Sequence, residues 1–313
     1  MGEDALVAII GGSGVDKCPV FDGAKWEQMN TKYIIRFPDS DETTGIVHFQ
    51  RSLDRDVIFI PRHGVNLNEK SGVVEAGLYR YPPSRTQYAA NLIAAHMLGA
   101  RVVVATSAVG TYRPEKAGVQ SLVVPHDYID ESGRDPNLFG TGLTLHLNRR
   151  PPFDEGLRTI LLESGEDIPD FIGIHDTAVY VVIPGDDFGT SAEGKKRMNY
   201  ADIPGMTAMP EAAMAMRMGM RYAIAAFPVD VDSDASHESA TGKVMAALGG
   251  DDGIPLYLSR VLPKAVTYAK SVLNTPIPNF ESGCVIPTDV SRIKHEYLRQ
   301  IAAEHVAKYA NLH

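Results

Sequence analysis

Residues Arg101 to Gly110 read "RVVVATSAVG", an apolar run that ends in small and polar side chains. Such a run is typical of a strand that is buried on both faces, as the strands of parallel sheets are. Five further segments have the same form: "ALVAIIGG", "DVIFIPRHG", "SLVVPHDYID", "AVYVVIPG" and "RYAIAAFPVD". Each has a short apolar part and then reaches glycine, proline or a polar cluster. We therefore predict a sheet whose strands are largely parallel.

Longer amphipathic stretches lie between several of these strands. Examples are "SRTQYAANLIAAHMLGA", "MPEAAMAMRMGM" and the C-terminal "SRIKHEYLRQIAAEHVAKYANLH", which has apolar residues at helical spacing. Strands that alternate with helices predict the α/β class. We expect a single domain over residues 1–313, with a central mixed, largely parallel twisted sheet flanked by helices.

The composition excludes several classes of protein. The 313 residues carry a formal net charge of −9, which argues against binding to the phosphate backbone of nucleic acids. No apolar run approaches the roughly 18 to 20 residues of a membrane span, and the start "MGEDALVAII" lacks a basic region. With two cysteines, Cys18 and Cys284, we expect no disulfide framework and no four-thiolate metal site. These features favour a cytoplasmic protein that binds neither membrane nor nucleic acid.

The residues that follow the predicted strands are candidate binding residues, because open α/β sheets bind ligands beyond the carboxyl ends of their strands. In "GGSG", Ser13 and the glycine N–H groups suit an anion, but the dinucleotide fingerprint and the P-loop lysine are lacking. "PRHG" offers the planar donors of Arg62 with His63 beside them. "ATSAVG" offers the Ser107 hydroxyl and the Ala108 N–H. Each motif also fits an ordinary turn, a surface arginine or a helix cap, but three together favour an anion site.

The segment "FPVDVDSD" presents three carboxylates, Asp230, Asp232 and Asp234, at alternating positions after a predicted strand. A calcium loop is disfavoured, because Ala235 and Thr241 stand where such a loop needs glycine and glutamate. A helix cap by Asp234 is a second explanation. A third is that Asp230 and Asp232, which point the same way in an extended chain, accept hydrogen bonds from a ring N–H and an exocyclic amino group.

The segment "GMTAMPEAAMAM" contains a stripe of methionines, which we assign mostly to the core. Met206 and Thr207 differ from the others because they lie at the junction of a loop and a helix. Pro210 follows them and suits a first helical turn.

Taken in order, seven motifs resemble those of the trimeric purine nucleoside phosphorylases, most closely their 5'-methylthioadenosine phosphorylase branch. They are "IIGGSGV", "PRHG", "PPSRTQYAANLIA", "VVVATSAVG", "GVQSLVVPHDYID", "GMTAMPEAAMA" and "FPVDVD", and they extend over nearly the whole chain. The resemblance implies a pentosyltransferase of purine salvage that phosphorolyses a 6-aminopurine nucleoside, first of all 5'-methylthioadenosine, to adenine and 5-methylthioribose 1-phosphate. It also implies inorganic phosphate as co-substrate, no cofactor or metal, and a homotrimer or a dimer of trimers.

The resemblance also implies roles for single residues. Phosphate is bound by Ser13, Arg62, His63, Ser107, Ala108 and Thr207, the ribose by Met206, and the base by Phe188, Asp230 and Asp232. Asp230 and Asp232 are the catalytic pair, and branches that prefer 6-oxopurines usually carry asparagine in place of Asp230. N7 of the purine becomes basic as the glycosidic bond stretches, so an acid at N7 acts most strongly in the transition state. Two neighbouring carboxyls titrate as a coupled pair, which favours a proton on one of them.

The chain departs from the family pattern in two places. Asp186 and Asp187 replace a proline and an arginine, and Gly189 replaces a phosphate-contacting serine, for which Thr190 or Ser191 is a candidate substitute. A carboxylate about 4 Å from phosphate would cost about 1 to 4 kcal/mol. Residues 65–81, "VNLNEKSGVVEAGLYRY", are an insertion that forms either a surface loop or a lid.

These departures leave three alternatives open. The chain is a phosphorylase for adenosine or another 5'-variant nucleoside, a nucleoside hydrolase that uses water instead of phosphate, or a purine-binding protein without activity. The sequence does not determine the 5' substituent.

Overall fold

The computed structural model describes residues 5–12, 15, 18–36, 43–52, 54–65, 81–232 and 253–310. The strands are β1 (Val7–Gly11), β2 (Trp26–Arg36), β3 (Thr43–Arg51), β4 (Val57–Pro61), β5 (Val102–Thr111), β6 (Leu122–Val123), β7 (Asp127–Asp130), β8 (Leu143–His146), β9 (Ile174–His175), β10 (Val179–Val182), β11 (Ile203–Gly205), β12 (Arg221–Val231) and β13 (Cys284–Pro287). The α-helices are α1 (Tyr88–Met97), α2 (Glu155–Gly165), α3 (Ser191–Arg197), α4 (Ala208–Arg217), α5 (Ile254–Val272), α6 (Pro278–Glu281) and α7 (Glu296–Tyr309). Ser13, Asp234 and most of the 65–81 insertion lie outside these ranges.

The central sheet has the strand order β2-β3-β4-β1-β5-β12-β6-β9. Its middle strands β4, β1, β5 and β12 pair in parallel, whereas β2–β3, β3–β4 and β12–β6 pair antiparallel. The predicted fold class, a mixed and largely parallel sheet flanked by helices, is confirmed.

Two apolar layers cover the faces of this sheet. Successive side chains of a strand point to opposite faces, so Ile10 packs in the layer that contains α1, α4 and α7, and Ile9 packs in the layer that contains α2 and α5. Both side chains are fully buried. The burial of alternate residues on both faces explains why β1 and β5 appear in the sequence as unbroken apolar runs. Within the described ranges, no helix is both long and apolar enough to cross a membrane.

A second sheet has the order β11-β10-β7 with all strands parallel, and β11 contacts β5 of the central sheet. The strand predicted in the apolar part of "SLVVPHDYID" is β6 of the central sheet, and the polar part forms β7 of the small sheet, which was not predicted. Pro125 lies between them, and proline has no N–H with which to continue a strand ladder. The carboxyl ends of the small sheet thereby reach the end of β5.

The start of α4 differs slightly from a regular helix. Met209 has φ −117° and ψ 139°, values outside the helical region, so the regular part begins at Pro210 as the sequence predicts. Thr207 precedes the helix, and its hydroxyl oxygen lies 3.1 Å from that of Ser107 in β5.

Candidate active site

The residues predicted to bind a ligand lie in or just after four strands, β4, β5, β11 and β12. Arg62 follows β4, Thr207 follows β11, and Asp230 lies at the end of β12 opposite Gly110 of β5. A Cβ at Gly110 would lie 3.0 Å from Pro204 and 3.4 Å from the Asp230 Oδ1 atom. A larger residue at position 110 would therefore separate the strand ends that form the site.

Ser107 and Ala108, which were expected to follow the strand, lie within β5, and three hydroxyl groups meet at Ser107. The Ser107 Oγ atom lies 3.1 Å from Thr207 Oγ1 and 3.3 Å from the Tyr180 hydroxyl oxygen. The side chains of Ser107 and Thr207 are buried, while Ala108 beside them is exposed. A Cβ at Gly205 would overlap the Tyr180 phenol, so this glycine allows the cluster to form. Because each hydroxyl can rotate to donate, the cluster suits an oxyanion.

Arg62 directs its planar donors at Glu211 instead of leaving them open. The Nε and Nη2 atoms donate to the two carboxylate oxygens of Glu211 at 2.8 and 2.9 Å. Nη2 also donates to the Ile10 carbonyl at 3.0 Å, and Nη1 donates to the Thr106 carbonyl at 2.6 Å. A guanidinium has five N–H donors, so these bonds leave one N–H on Nη1 for an anion.

Glu211 is a residue of the candidate site that the sequence analysis missed. Its side chain is fully buried, and its Oε1 atom also accepts a hydrogen bond from the Tyr222 hydroxyl at 2.9 Å. Burial alone would lower the pKa of Arg62, but the neighbouring Glu211 carboxylate outweighs it and raises that pKa. A single charge inside the Ala- and Met-rich segment of α4 was the sequence signal for such a pair.

His63 is held as a neutral ring with a defined tautomer. Its Nδ1 atom lies 3.1 Å from the Tyr81 carbonyl and 2.9 Å from Thr86 Oγ1, and the Thr86 hydroxyl itself donates to Pro82. Both neighbours therefore accept, which assigns the ring proton to Nδ1 and makes Nε2 an acceptor. Burial and the positive charge of Arg62 lower the pKa of His63 to about 3.

Asp186 and Asp187, which depart from the family pattern, lie on an exposed loop after β10. Asp186 accepts hydrogen bonds from the Ser84 N–H at 3.0 Å and from the Ser84 hydroxyl at 2.7 Å. Burial and the Arg62 charge lower the pKa of His63, and the Asp186 charge opposes them with a smaller raising effect. Asp187 is exposed, and Phe188 is 66 % exposed, so most of the ring predicted to face the base is open to solvent.

Asp230 and Asp232, the pair predicted to read the base, lie at the end of β12. Asp230 and Asp232 are half-buried, and the Asp232 N–H donates to the Thr111 carbonyl at 2.9 Å, which keeps this part of the chain extended beside β5. Tyr112 lies next to Asp232. Burial and then the Asp232 carboxylate raise the pKa of Tyr112.

Arg134 connects two loops of the site and was not found from the sequence. Its Nη1 atom donates to the carbonyls of Met206 at 2.6 Å and Met209 at 2.8 Å, and its Nη2 atom donates to the Pro184 carbonyl. One side chain thus fixes the loop that precedes α4 against the loop that carries Phe188. Its sequence context, "ESGRDP", gives no signal of this role.

The arrangement separates two kinds of chemistry. Hydroxyls, a neutral histidine and one arginine N–H lie at one end and suit an anion, and a pair of carboxylates lies at the other and suits donors of a ring. Across the described part of the chain, no group of three or more His, Cys, Asp or Glu side chains is placed to hold a metal ion.

Comparisons with known proteins agree with this geometry. Residues 7–248 match the family described as the phosphorylase superfamily. The chain is 33% identical over 247 residues to the S-methyl-5'-thioadenosine phosphorylase of Pyrobaculum aerophilum, covering 78% of this chain and 80% of that protein. It is 32% identical over 223 residues to the probable 6-oxopurine nucleoside phosphorylase of Archaeoglobus fulgidus, covering 70% and 79% of the two chains.

Among solved structures, a methylthioadenosine phosphorylase sourced from an antarctic soil metagenomic library matches with a TM-score of 0.69 and 28% identity. The match covers 88% of this chain and 90% of that chain. The strand order, the strand-end motifs and the extent of these similarities lead to one conclusion. The chain belongs to the phosphorylase superfamily.

Proposed function

We propose that the protein phosphorolyses the N-glycosidic bond of 5'-methylthioadenosine to give adenine and 5-methylthioribose 1-phosphate. The observation that carries this proposal is the position of Asp230 and Asp232 at the end of β12, the strand that pairs with β5, which carries Ser107 of the hydroxyl cluster. In the reaction a phosphate oxygen bonds to the anomeric carbon, the bond from that carbon to N9 breaks, and its electron pair enters the purine. The proton required by the leaving base is delivered at N7.

In this proposal phosphate lies against Ser107, Ala108 and Thr207 and accepts a hydrogen bond from the remaining Nη1–H of Arg62. The neutral His63 accepts at Nε2, so it suits the hydroxyl of a monoprotonated phosphate better than one of its charged oxygens. Ser13, which lies outside the described residues, is proposed as a further hydroxyl donor. Because the Arg62 charge is already balanced by Glu211, orientation contributes more to phosphate use here than net positive charge.

At the base end, Asp230 holds the proton that passes to N7, and Asp232 accepts from the 6-amino group. Met206 lies under the ribose, and Phe188 closes over the base when the nucleoside binds. A general acid at N7 interacts more strongly with the departing base than with the intact nucleoside, which is the condition for accelerating the reaction.

Further parts of the proposal rest on the family resemblance described above. We infer that the enzyme uses no metal or organic cofactor, works in the cytoplasm and is a homotrimer. Sedimentation equilibrium of the purified protein tests the trimer. Activity after exhaustive chelation tests whether the enzyme works without a metal.

A nucleoside hydrolase is the second candidate function. The pairing of Arg62 with Glu211 and the carboxylate of Asp186 near His63 favour it, because both weaken the attraction for a phosphate anion. In that case water attacks the anomeric carbon and free 5-methylthioribose is released.

The decisive experiment follows adenine release from 5'-methylthioadenosine with and without phosphate and identifies the sugar product. We expect release to require phosphate and to give the 1-phosphate. Equal release without phosphate, with free sugar as product, would establish the hydrolase instead. Adenosine and 5'-methylthioinosine in the same assay test the preference for the 5' group and for the 6-amino group.

A further inference from the structure

Two buried polar atoms beside the base-reading pair have no hydrogen-bond partner among the residues that the structure describes. They are the Tyr112 hydroxyl and the Nη1 atom of Arg197. Tyr112 is 3% exposed and Arg197 is 7% exposed, so water does not reach them freely. Buried donors are nearly always paired in folded proteins, so each unpaired one calls for a physical explanation.

Two carboxylates fix the orientation of the Arg197 guanidinium. Its Nε atom donates to Glu131 at 2.8 Å, and its Nη2 atom donates to Glu193 at 3.4 Å. Glu131 in turn accepts from the Tyr200 hydroxyl at 2.5 Å, and Glu193 belongs to the capping box that starts α3. A Cβ at Gly189 would lie 3.0 Å from the Nη1 atom of Arg197. The guanidinium is thus oriented by two carboxylates, and its third nitrogen lies beside the loop that carries Phe188.

Tyr112 follows the last residue of β5 and is a neighbour of both Asp232 and Arg197. Burial raises the pKa of Tyr112 most, the Asp232 carboxylate raises it further, and the Arg197 guanidinium lowers it. A Cβ at Gly194 of α3 would lie 3.3 Å from the Asp232 carbonyl oxygen and 3.7 Å from Cε1 of Tyr112. The end of β12, the end of β5 and α3 therefore meet at this point.

We propose that Tyr112 and Arg197 are positioning residues for Asp232: once the purine is bound, the Tyr112 hydroxyl donates to the Asp232 carboxylate, Arg197 stabilises its negative charge, and the proton shared by the pair rests on Asp230. This inference rests on the proposed function and assigns the two carboxyls different tasks. Asp230 gives a proton to N7. Asp232, which stays ionised, only accepts, and therefore selects a 6-amino purine over a 6-oxopurine.

The charges around Asp232 agree with this assignment. Asp230 on β12 disfavours two neighbouring negative charges, so one carboxyl of the pair retains a proton. Tyr112 lies next to Asp232, and Arg197 acts on Tyr112 while it pairs with Glu131 and Glu193. A hydrogen-bond donor and a cation near Asp232 favour ionisation of this carboxyl group over that of Asp230.

The test measures binding of adenine and hypoxanthine by isothermal titration calorimetry to the full-length protein and its variants. Tyr112→Phe keeps the shape of the ring and removes the donor, and Arg197→Gln removes the charge. We expect each variant to reduce the adenine preference, the ratio of the two dissociation constants, by about tenfold or more. Arg197→Lys keeps the charge and should restore part of the preference.

A matched control removes a different buried phenol. Tyr257 is fully buried in the other apolar layer, and its hydroxyl donates to the Leu161 carbonyl at 3.0 Å. Tyr257→Phe should leave the ratio of the dissociation constants unchanged. In the pH profile of kcat/KM, Tyr112→Phe should move the acidic limb to higher pH, because the Asp230–Asp232 pair loses a donor that stabilises its ionised form. A merely structural role of Tyr112 would not move this limb.

The outcomes separate this inference from the proposed function. If folded Tyr112→Phe and Arg197→Gln proteins keep the wild-type adenine preference, the positioning role is wrong. If the wild-type protein shows no adenine preference, the base-reading role of Asp232 is wrong and the positioning role falls with it. If it prefers adenine but releases no adenine from nucleosides in the presence of phosphate, only the proposed phosphorolysis fails.

Discussion

The two ends of the candidate site are built differently. At the phosphate end, Arg62 and Glu211 are buried and share two hydrogen bonds, so little of their hydrogen-bonding capacity remains. At the base end, Asp230 and Asp232 are half-buried, and donors of Tyr112 and Arg197 stay uncommitted within the described structure. We infer that the first arrangement fixes the geometry before a ligand binds and that the second is completed by its ligand. We expect substitutions at the phosphate end to cost stability, and those at the base end to cost catalysis and selectivity.

Asp230→Asn should have the largest effect and tests the base end. An amide cannot give N7 a proton, so we expect kcat/KM for 5'-methylthioadenosine to fall about 10²- to 10⁴-fold. The loss on 5'-methylthioinosine should be much smaller, because an amide serves a 6-oxopurine as well. Steady-state kinetics on both substrates measure the difference, and Asp187→Asn on the exposed loop is the control. Equal losses on the two substrates would contradict a base-reading role for Asp230.

Glu211→Leu tests the phosphate end through stability. It leaves the buried Arg62 charge without its partner, which should lower the free energy of unfolding by about 3 to 5 kcal/mol in urea titrations. Adding Arg62→Met removes that charge, so the double variant should lose much less than the sum of the single losses.

The exposed pair of Lys270 and Asp56, 3.1 Å apart, provides the control for this stability test. Lys270→Met should cost less than about 1 kcal/mol because exposed ion pairs contribute little. Additive losses at Arg62 and Glu211 would mean that their charges do not depend on each other, and the contrast between the two ends would disappear.

The sequence predicted elements whose pattern is local. The apolar runs of β1, β4, β5, β10 and β12 reflect burial on both faces, which shows as consecutive Val and Ile residues. The antiparallel strands β2 and β3 were not predicted, because their long sequences mix charged and apolar residues and their pairing depends on the edge position.

For the site, sequence motifs indicated which residues follow the strands but not their partners. The bond between Arg62 and Glu211 joins residues 149 positions apart, and the clamp of Arg134 on Met206 joins residues 72 apart. No local rule gives such contacts, since they depend on the packing of α4 and of the loop after β7. The sequence therefore suggested that Arg62 of "PRHG" has its N–H donors available for an anion, although its Nε and Nη2 atoms donate to the Glu211 carboxylate.

His63→Gln tests a smaller effect at the phosphate end, the pH dependence of stability. Folded His63 has a pKa of about 3, and an unfolded histidine has one near 6.5, so between these values only the unfolded chain takes up the proton. The stability that the neutral ring contributes is complete above about pH 6.5 and declines by about 1.4 kcal/mol per unit as pH falls. In His63→Gln the slope of unfolding free energy against pH should decrease by that amount.

His305 provides the comparison for this pH experiment. Burial lowers its pKa to about 4, and it lies in the helical layer, where it packs on Phe280. His305→Gln should flatten the slope in the same direction between about pH 6.5 and 4 and leave phosphate use unchanged. His63→Gln should flatten the slope and also raise the KM for phosphate. An unchanged KM in His63→Gln would remove His63 from the phosphate end.

Asp186→Asn should have the smallest effect and measures how far the exposed loop acts on the phosphate end. The asparagine oxygen can still accept from the Ser84 N–H, so the variant mainly removes a negative charge. An exposed charge contributes up to about 1 kcal/mol, which predicts a KM for phosphate up to about fivefold lower at low salt. At 1 M salt the Debye length is about 3 Å and the difference should vanish. Asp187→Asn should change the KM less, since Asp186 is the carboxylate bound to Ser84 and acting on His63. If neither substitution changes the KM at low salt, the loop does not face the anion, and the weak net charge of the phosphate end comes from the Arg62–Glu211 pair alone.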